Sequence, residues 1–410
     1  MPETGHPASL PSLSGQPWLV RAQPLMRVLA SAGHDVRAVG GAVRSALMEL
    51  PVGEVDLATT AKPDETIKVC EAAGMKCVPT GLAHGTVTVL SDGVGYEVTT
   101  LREDVETFGR HAKVAYTVDW AADARRRDFT MNALYCAADG TVGDPLDGWL
   151  DLVARRVRFI GEPAERIRED YLRILRFFRF HAEVGRGPLD AAGLVACVRE
   201  RHGLASLSAE RVRSELIKLL SAADPLAGIQ PMFDVGLLSP LLHAAPRPGL
   251  LARLVAAEKA APAPIDALLR LSALAVAVED DIPALAERLR LSNAERDSLI
   301  VIDHNAAALD ALTDQAARRA LYRDGPQQWQ RRALAAAVAG AGPRWRALYA
   351  LPQSWQVPHF PLRGADALAL GIAPGPLVGE LLARVEAWWI EGDFTADEAA
   401  LRQRLAELAR

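Results

Sequence analysis

Over the first 150 residues, hydrophobic and polar positions alternate between two periods. An apolar-periodic stretch, about Trp18–Ala32, predicts a helix. It leads into a short strand, Asp35–Val39, then Gly40-Gly41, then a helix opening near Ala42. Val55–Thr59 reads as a β-branched strand, and Pro63 as a helix start backed by Ile67, Val69, Cys70 and Ala73. His84–Leu90 and Tyr96–Leu101 flank Ser91-Asp92-Gly93, a hairpin signal, and a further strand surrounds Ala133–Cys136. After about Arg158 the period-two signal ends. Arg166–Phe180 carries Ile167, Tyr171, Ile174, Leu175 and Phe178 at helical spacing and predicts one amphipathic helix. From there the chain is helical, broken at Ala245–Gly249, Ala261–Pro264 and Gly340–Pro343, with no fixed-period repeat. The expected fold class is α+β: an N-terminal α/β head followed by an all-α neck, body and tail.

Composition narrows this only a little. A chain of 410 residues, half of them hydrophobic, predicts several domains with substantial cores. No apolar run approaches the length of a membrane span. The opening MPETGHPASLPSLSGQ lacks the basic and apolar regions of a signal peptide, so residues 1–24 are expected to form a flexible arm. Cys70, Cys77, Cys136 and Cys197 show no paired spacing, which argues against zinc and disulfides and fits a cytoplasmic protein. A net charge of −5 does not advertise a nucleic-acid binder, although phosphate binding needs only a local basic groove.

The chemistry concentrates in the head. Glu54 and Asp56 lie two apart on the expected strand and so project to one side. Paired hard oxygen donors suit Mg²⁺, and two such ions, roughly 4 Å apart, serve in-line displacement. Glu97, on the neighbouring hairpin, is a third candidate. Gly40 and Gly41 provide backbone without Cβ atoms where a triphosphate could approach, and Arg44 could grip it. Taken singly, such features are more often a solvated acidic edge and a plain turn.

Together they resemble a known family. Gly40-Gly41-x-Val43-Arg44 followed by Glu54-x-Asp56-Leu57-Ala58-Thr59 is similar to the signature of the polymerase-β-like nucleotidyltransferases, and more narrowly of the class II tRNA nucleotidyltransferases. His84-Gly85-Thr86-Val87, Glu97-Val98-Thr99-Thr100, Arg126 through Leu134, Asp144-Pro145, Gly148, Arg166 with Glu169-Asp170, and Ser208-Ala209-Glu210-Arg211 with Glu215 follow in order. The C-terminal match (Gly364, Asp366, Pro374 to Pro376, Gly379) is weaker. The sequence departs from the family at Ser45 and Glu54, where Asp is usual, and at Phe108, where the loop often carries an acidic residue.

The resemblance implies a CCA-adding enzyme that transfers CMP and AMP from CTP and ATP to the 3′ end of tRNA, with Mg²⁺ on Glu54 and Asp56. It implies nucleotide contacts from Arg127 to triphosphate, from Asp128 near the ribose, and from Asn132. Asp170 and Arg173, neighbours on the predicted helix, would read the base. Cytosine and adenine both present an amino donor beside a ring-nitrogen acceptor, which a carboxylate and a guanidinium complement. Arg176 and Arg179 are further nucleotide candidates, Arg176 the better placed. The segment 102–117, with Glu103, Asp104, Arg110 and Lys113, resembles the family's mobile loop. The expected division is a head at 25–160, a base-reading neck at 161–222, and a tRNA-binding body and tail at 223–410. The alternatives are a poly(A) polymerase, whose strongly basic extensions this chain lacks, and a catalytically weakened RNA-binding homologue, motivated by Ser45, Glu54 and Phe108. Asp303-His304 lacks the partners of a metal phosphohydrolase, and Trp329, Trp388 and Trp389 read as core more than as stacking surfaces.

Overall fold

The structure, a computed structural model, describes residues 10–108, 111–302, 309, 311–340 and 342–410, without the side chains of residue 83, 104–108 and 111–114. Gly109, Arg110, Asp303 and His304 therefore lie outside the described residues, as does the Phe108 side chain. The chain forms two compact units, Met1–Leu241 and Leu242–Arg410.

In the first unit a seven-stranded sheet is built from β1 (Val36–Val39), β2 (Asp56–Thr59), β3 (Lys76–Gly81), β4 (Thr86–Ser91), β5 (Val94–Thr100), and the short β8 (Tyr135–Cys136) and β9 (Val142–Gly143). The order is β3-β4-β5-β2-β1-β8-β9, antiparallel except between β2 and β5. The alternation of the hairpin strand is plain in β4, where Val87 and Val89 are buried and the intervening residues are not. On β2, central in the sheet, Leu57, Ala58 and Thr59 are all buried, leaving Asp56 exposed at the strand's start. Helices α1 (Pro17–Ser31) and α3 (Pro63–Ala72) pack on each other and on the sheet. The expected flexible arm 1–24 is a docked segment from Leu13 onward. Leu13 is buried and its N–H donates to the Gly140 carbonyl at 2.8 Å, while α1 buries Trp18, Leu19 and Ala22.

A separate antiparallel ribbon, β6 (Arg102–Phe108) with β7 (His111–Tyr116), stands where the mobile loop was expected. Beyond it, α4 (Trp120–Arg125) precedes β8, and α5 (Gly148–Val153) lies against the turn at Thr130–Asn132. Gly148 is needed there, because a Cβ would sit 2.2 Å from the Thr130 carbonyl oxygen.

The predicted helix over Arg166–Phe180 is two helices, α6 (Pro163–Glu169) and α7 (Leu172–Val184), broken at Asp170 (φ −154°, ψ 103°). Asp170 caps α7, accepting from Leu172 N–H at 3.1 Å, and the Tyr171 ring packs where any side chain at Gly203 would be. The continuous apolar stripe thus belongs to two helices in succession. Aromatic contacts hold α7 against the head: Phe177 stacks on Phe159 at 5.3 Å, and Phe129 meets Phe180 edge-on at 5.4 Å. Helices α8 (Ala191–Arg199), α9 (Ala209–Leu220) and α10 (Leu226–Asp234) complete this layer, with α9 and α10 both packed on α7.

The second unit is helical. Trp329 is fully buried and donates to the Leu348 carbonyl, and the helix over Asp314–Val338 is broken at Gly325 (φ 76°) before Pro326. Trp389 packs with Leu381, Val385, Leu401 and Leu405, whereas Trp388 is exposed. Among the described residues no helix is long and apolar enough to cross a membrane.

Candidate functional site

A cleft of about 390 Å³ in the first unit gathers side chains from four separated stretches of chain. The turn after β1 contributes Gly40, Gly41 and Arg44, and the start of β2 contributes Asp56. The segment after α4 supplies Arg126, Arg127, Asp128 and Asn132, and the α6–α7 junction with α7 supplies Asp170, Arg173, Arg176, Arg179 and Phe180. Gly40 is at φ +71°, a left-handed conformation that ends β1 and turns the chain into a seven-residue helix, α2 (Gly41–Leu47).

That turn also corrects the carboxylate reading. β1 ends at Val39, which pairs with Asp56, and β2 itself begins at Asp56. Glu54 lies in the loop before β2, and the same-face argument does not apply to it. It does not line the cleft, and neither does Glu97. Glu97 is nevertheless beside Asp56 in the parallel β2–β5 register. The Asp56 carboxyl is pushed above the usual carboxylate range, first by desolvation, then by the charges of Glu97 and Glu54, with Arg127 opposing. Asp56 therefore feels both glutamates, although among the described residues no group of three acidic, His or Cys side chains is arranged as a ready metal site.

The basic wall is held by a buried network. Asp123, nearly inaccessible, takes Arg127 at 2.8 Å, Arg126 at 3.1 Å and the Tyr135 hydroxyl at 2.9 Å. Burial alone would raise its pKa, but the two arginines outweigh this and hold it low. Arg127 in turn is kept charged by Asp123 and Tyr135 against its own burial. Asp128 accepts from Asn132 at 3.0 Å and from Arg176 at 2.7 Å; despite burial, Arg176 and Asn132 keep it ionised. Asn132 accepts from Arg44 through its other amide atom, so a relay runs Arg44–Asn132–Asp128–Arg176.

Arg179 lines the cleft beside Arg176. It pairs with Glu183 at 2.9 Å and Glu215 at 2.6 Å. Asp170 and Arg173 both line the cleft as well, but not as neighbours on one helix face. Asp170 is paired with Arg211 at 2.7 Å. Arg173 is fixed by Glu169 and by the carbonyls of Arg166 (2.7 Å) and Arg126 (3.1 Å), bonds in which its Nε–H takes no part.

Sequence reasoning missed Asp123, Glu215 as an arginine partner, and Phe180. Asp123 stands four residues before Arg127, a helical ion-pair spacing that was available to read. For Phe180 no local signal distinguishes it from its aromatic neighbours.

A family described as "Poly A polymerase head domain" matches residues 36–158, and one described as "Probable RNA and SrmB- binding site of polymerase A" matches 190–250. The chain is 34% identical over 392 residues to the mitochondrial CCA tRNA nucleotidyltransferase 1 of Mus musculus, covering 92% of this chain and 88% of that one. It is 31% identical to the CCA-adding enzyme of Levilactobacillus brevis, covering 93% and 96%. In structure it is similar to the Bacillus stearothermophilus CCA-adding enzyme solved in complex with CTP, with a TM-score of 0.72, 28% identity, and coverage of 96% and 98%. The Thermotoga maritima CCA-adding enzyme complexed with tRNA shares the fold at a TM-score of 0.64, 19% identity and 94% coverage of each.

Proposed function

The chain belongs to the class II CCA-adding nucleotidyltransferases of the polymerase-β-like superfamily, and from that membership we propose that it adds CMP and AMP from CTP and ATP to the 3′ end of tRNA without a template. The observation that carries the proposal is one cleft combining an acidic residue, Asp56, with the cations Arg44, Arg127, Arg176 and Arg179 and the base-reading candidates Asp170 and Arg173.

Family members are generally dependent on a divalent metal, and the donor chemistry fits one. Asp56 is driven toward protonation partly by Glu97 and Glu54, a repulsion that a bound cation would relieve. Magnesium is the proposed ion, held by Asp56 with Glu54 and Glu97 as the further donors. Such an ion supplies neutralisation of the attacking 3′-hydroxyl and the departing pyrophosphate.

The chain's own groups do the rest. Gly40 and Gly41 let the backbone approach the triphosphate, where the nearest atoms to the would-be Cβ positions are the Arg127 and Arg44 guanidinium nitrogens, at 4.0 and 3.9 Å. Arg44, Arg127, Arg176 and Arg179 neutralise the phosphates, each pre-oriented by a carboxylate, amide or ring partner. Asp170 accepts from the exocyclic amino group of cytosine or adenine while Arg173 donates to the ring nitrogen. Uracil and guanine would leave both groups facing like partners, a desolvation cost that excludes them. Because Arg211 occupies Asp170 and the two helices break there, the pair sits at a helix junction and need not share one helical face. The four unpaired cysteines suit a reducing cytoplasm, which is the proposed location.

The test is to incubate the protein with Mg²⁺ and tRNA lacking its 3′ CCA, supplying CTP, ATP or both. Addition that stops after CCA is expected, and Asp56→Ala should reduce it by at least three orders of magnitude while leaving the fold intact. A long A tail would select poly(A) polymerase, and no incorporation would select a weakened homologue.

A further inference from the structure

Phe180 stands near the C-terminal end of α7, 5% exposed, within the cleft wall. Three guanidinium carbons lie over its ring: Arg179 at 4.1 Å, Arg44 at 4.9 Å and Arg176 at 5.1 Å. Arg44 comes from α2 and the other two from α7, so one phenyl ring joins two elements that meet nowhere in sequence. Phe129, packed edge-on at 5.4 Å, fixes the ring's orientation from the head side.

The choice of an uncharged partner has a consequence. A carboxylate holds a guanidinium by neutralising it and occupying its N–H donors. An aromatic face attracts the cation through its quadrupole and leaves the donors free for a ligand. Arg176 and Arg179 have carboxylate partners in Asp128, Glu183 and Glu215. Arg44, buried, has among the described residues only the neutral Asn132 and the Phe180 ring, and its Nε–H has no hydrogen-bond partner. Its charged form is disfavoured first by burial, with Glu183 and Asp128 offsetting part of this and Arg179 and Arg176 adding to it. A buried guanidinium beside two others, with no carboxylate in direct contact, is a place where a polyanion relieves the repulsion.

We infer that Phe180 is a positioning residue for the triphosphate: its ring holds Arg44, without a carboxylate on it, against Arg176 and Arg179 at the place where the phosphates bind. This rests on the triphosphate reading of the cleft given above.

The experiment compares wild type, Phe180→Leu, Phe180→Tyr, and proteins carrying phenylalanine with one, two or three ring fluorines at position 180. Fluorination keeps the shape and weakens the negative face. Binding of inorganic triphosphate and of CTP, and KM, kcat and CTP-over-UTP selectivity, are measured on each. Phe180→Leu should weaken triphosphate and CTP alike, and raise KM for CTP and ATP, by about tenfold, with kcat within about twofold and selectivity unchanged. Phe180→Tyr should restore wild-type values, and affinity should fall stepwise with fluorine number at constant Tm. A flat fluorine series, a Phe180→Leu variant binding like wild type, or a loss of selectivity with the loss of affinity would overturn the inference. If Phe180→Leu does not fold, the isosteric fluorine series decides alone. If wild type binds neither triphosphate nor CTP, the triphosphate reading itself fails, an outcome distinct from a wild type that binds both without dependence on the ring.

Discussion

Arg44 and Arg270 are both buried arginines set among apolar helical neighbours, one in the first unit and one in the second, and in sequence they look alike. Their surroundings differ. Arg270 donates through Nε and Nη2 to Glu258, at 3.0 and 2.7 Å, and both side chains are almost inaccessible. Arg44 lines an open cleft, leans on a neutral amide and a phenyl ring, and shares its neighbourhood with other cations. The first arrangement is complete without a ligand, and the second is not. A buried charge that is already matched serves the fold; one left short of counter-charge beside a cleft marks where an anion binds.

Substitutions at the two sites should therefore fail in opposite ways. Glu258→Gln removes the buried carboxylate charge to which Arg270 donates, a loss of about 3–5 kcal/mol. In a chain of this size thermal unfolding should shift down by roughly 10 °C, with KM for CTP unchanged. Arg44→Met should do the reverse, raising KM for CTP and ATP about tenfold or more while Tm stays within about 2 °C. Equal effects on Tm and KM at both positions would break the comparison. A smaller effect should follow at the base-reading end: Arg173→Ala is expected to relax discrimination between CTP and UTP about tenfold, read as the ratio of their kcat/KM values. Unchanged discrimination would remove Arg173 from that role, and leave its bonds to Glu169, Arg166 and Arg126 as a purely structural clamp.

Legibility in the sequence follows the range of the interactions involved. Strand alternation, the Gly40 turn and the hairpin at Ser91–Gly93 are local, and they were readable within a residue or two. The break at Asp170 was not, because it depends on Arg211, forty-one residues further on, and on room for Tyr171 at Gly203. Across that break the apolar positions keep helical spacing, so periodicity alone reports one helix. Glu54 misled for a related reason. Its alternation with Asp56 is real, but the strand begins only at Asp56, level with the last residue of β1, Val39. The cleft residues were nearly all nameable from their motifs, whereas their partners were not: Asp128 holds Arg176 across forty-eight residues, and the ring of Phe180 gathers an arginine from each side of the fold.

The acidic end of the cleft carries the central claim, that Asp56 and its neighbours hold a divalent ion beside the cationic wall. Manganese paramagnetism, followed during titration of wild type and Asp56→Asn, reads that directly. Wild type should bind saturably, and Asp56→Asn at least tenfold more weakly. Because the folded-state pKa of Asp56 is raised, its proton competes with the ion as pH falls, so wild-type affinity should decline at a higher pH than an ordinary aspartate of pKa 3.8 would set. For the same reason the metal-free variant should be no less stable than wild type. Superimposable titrations of the two proteins would contradict the account.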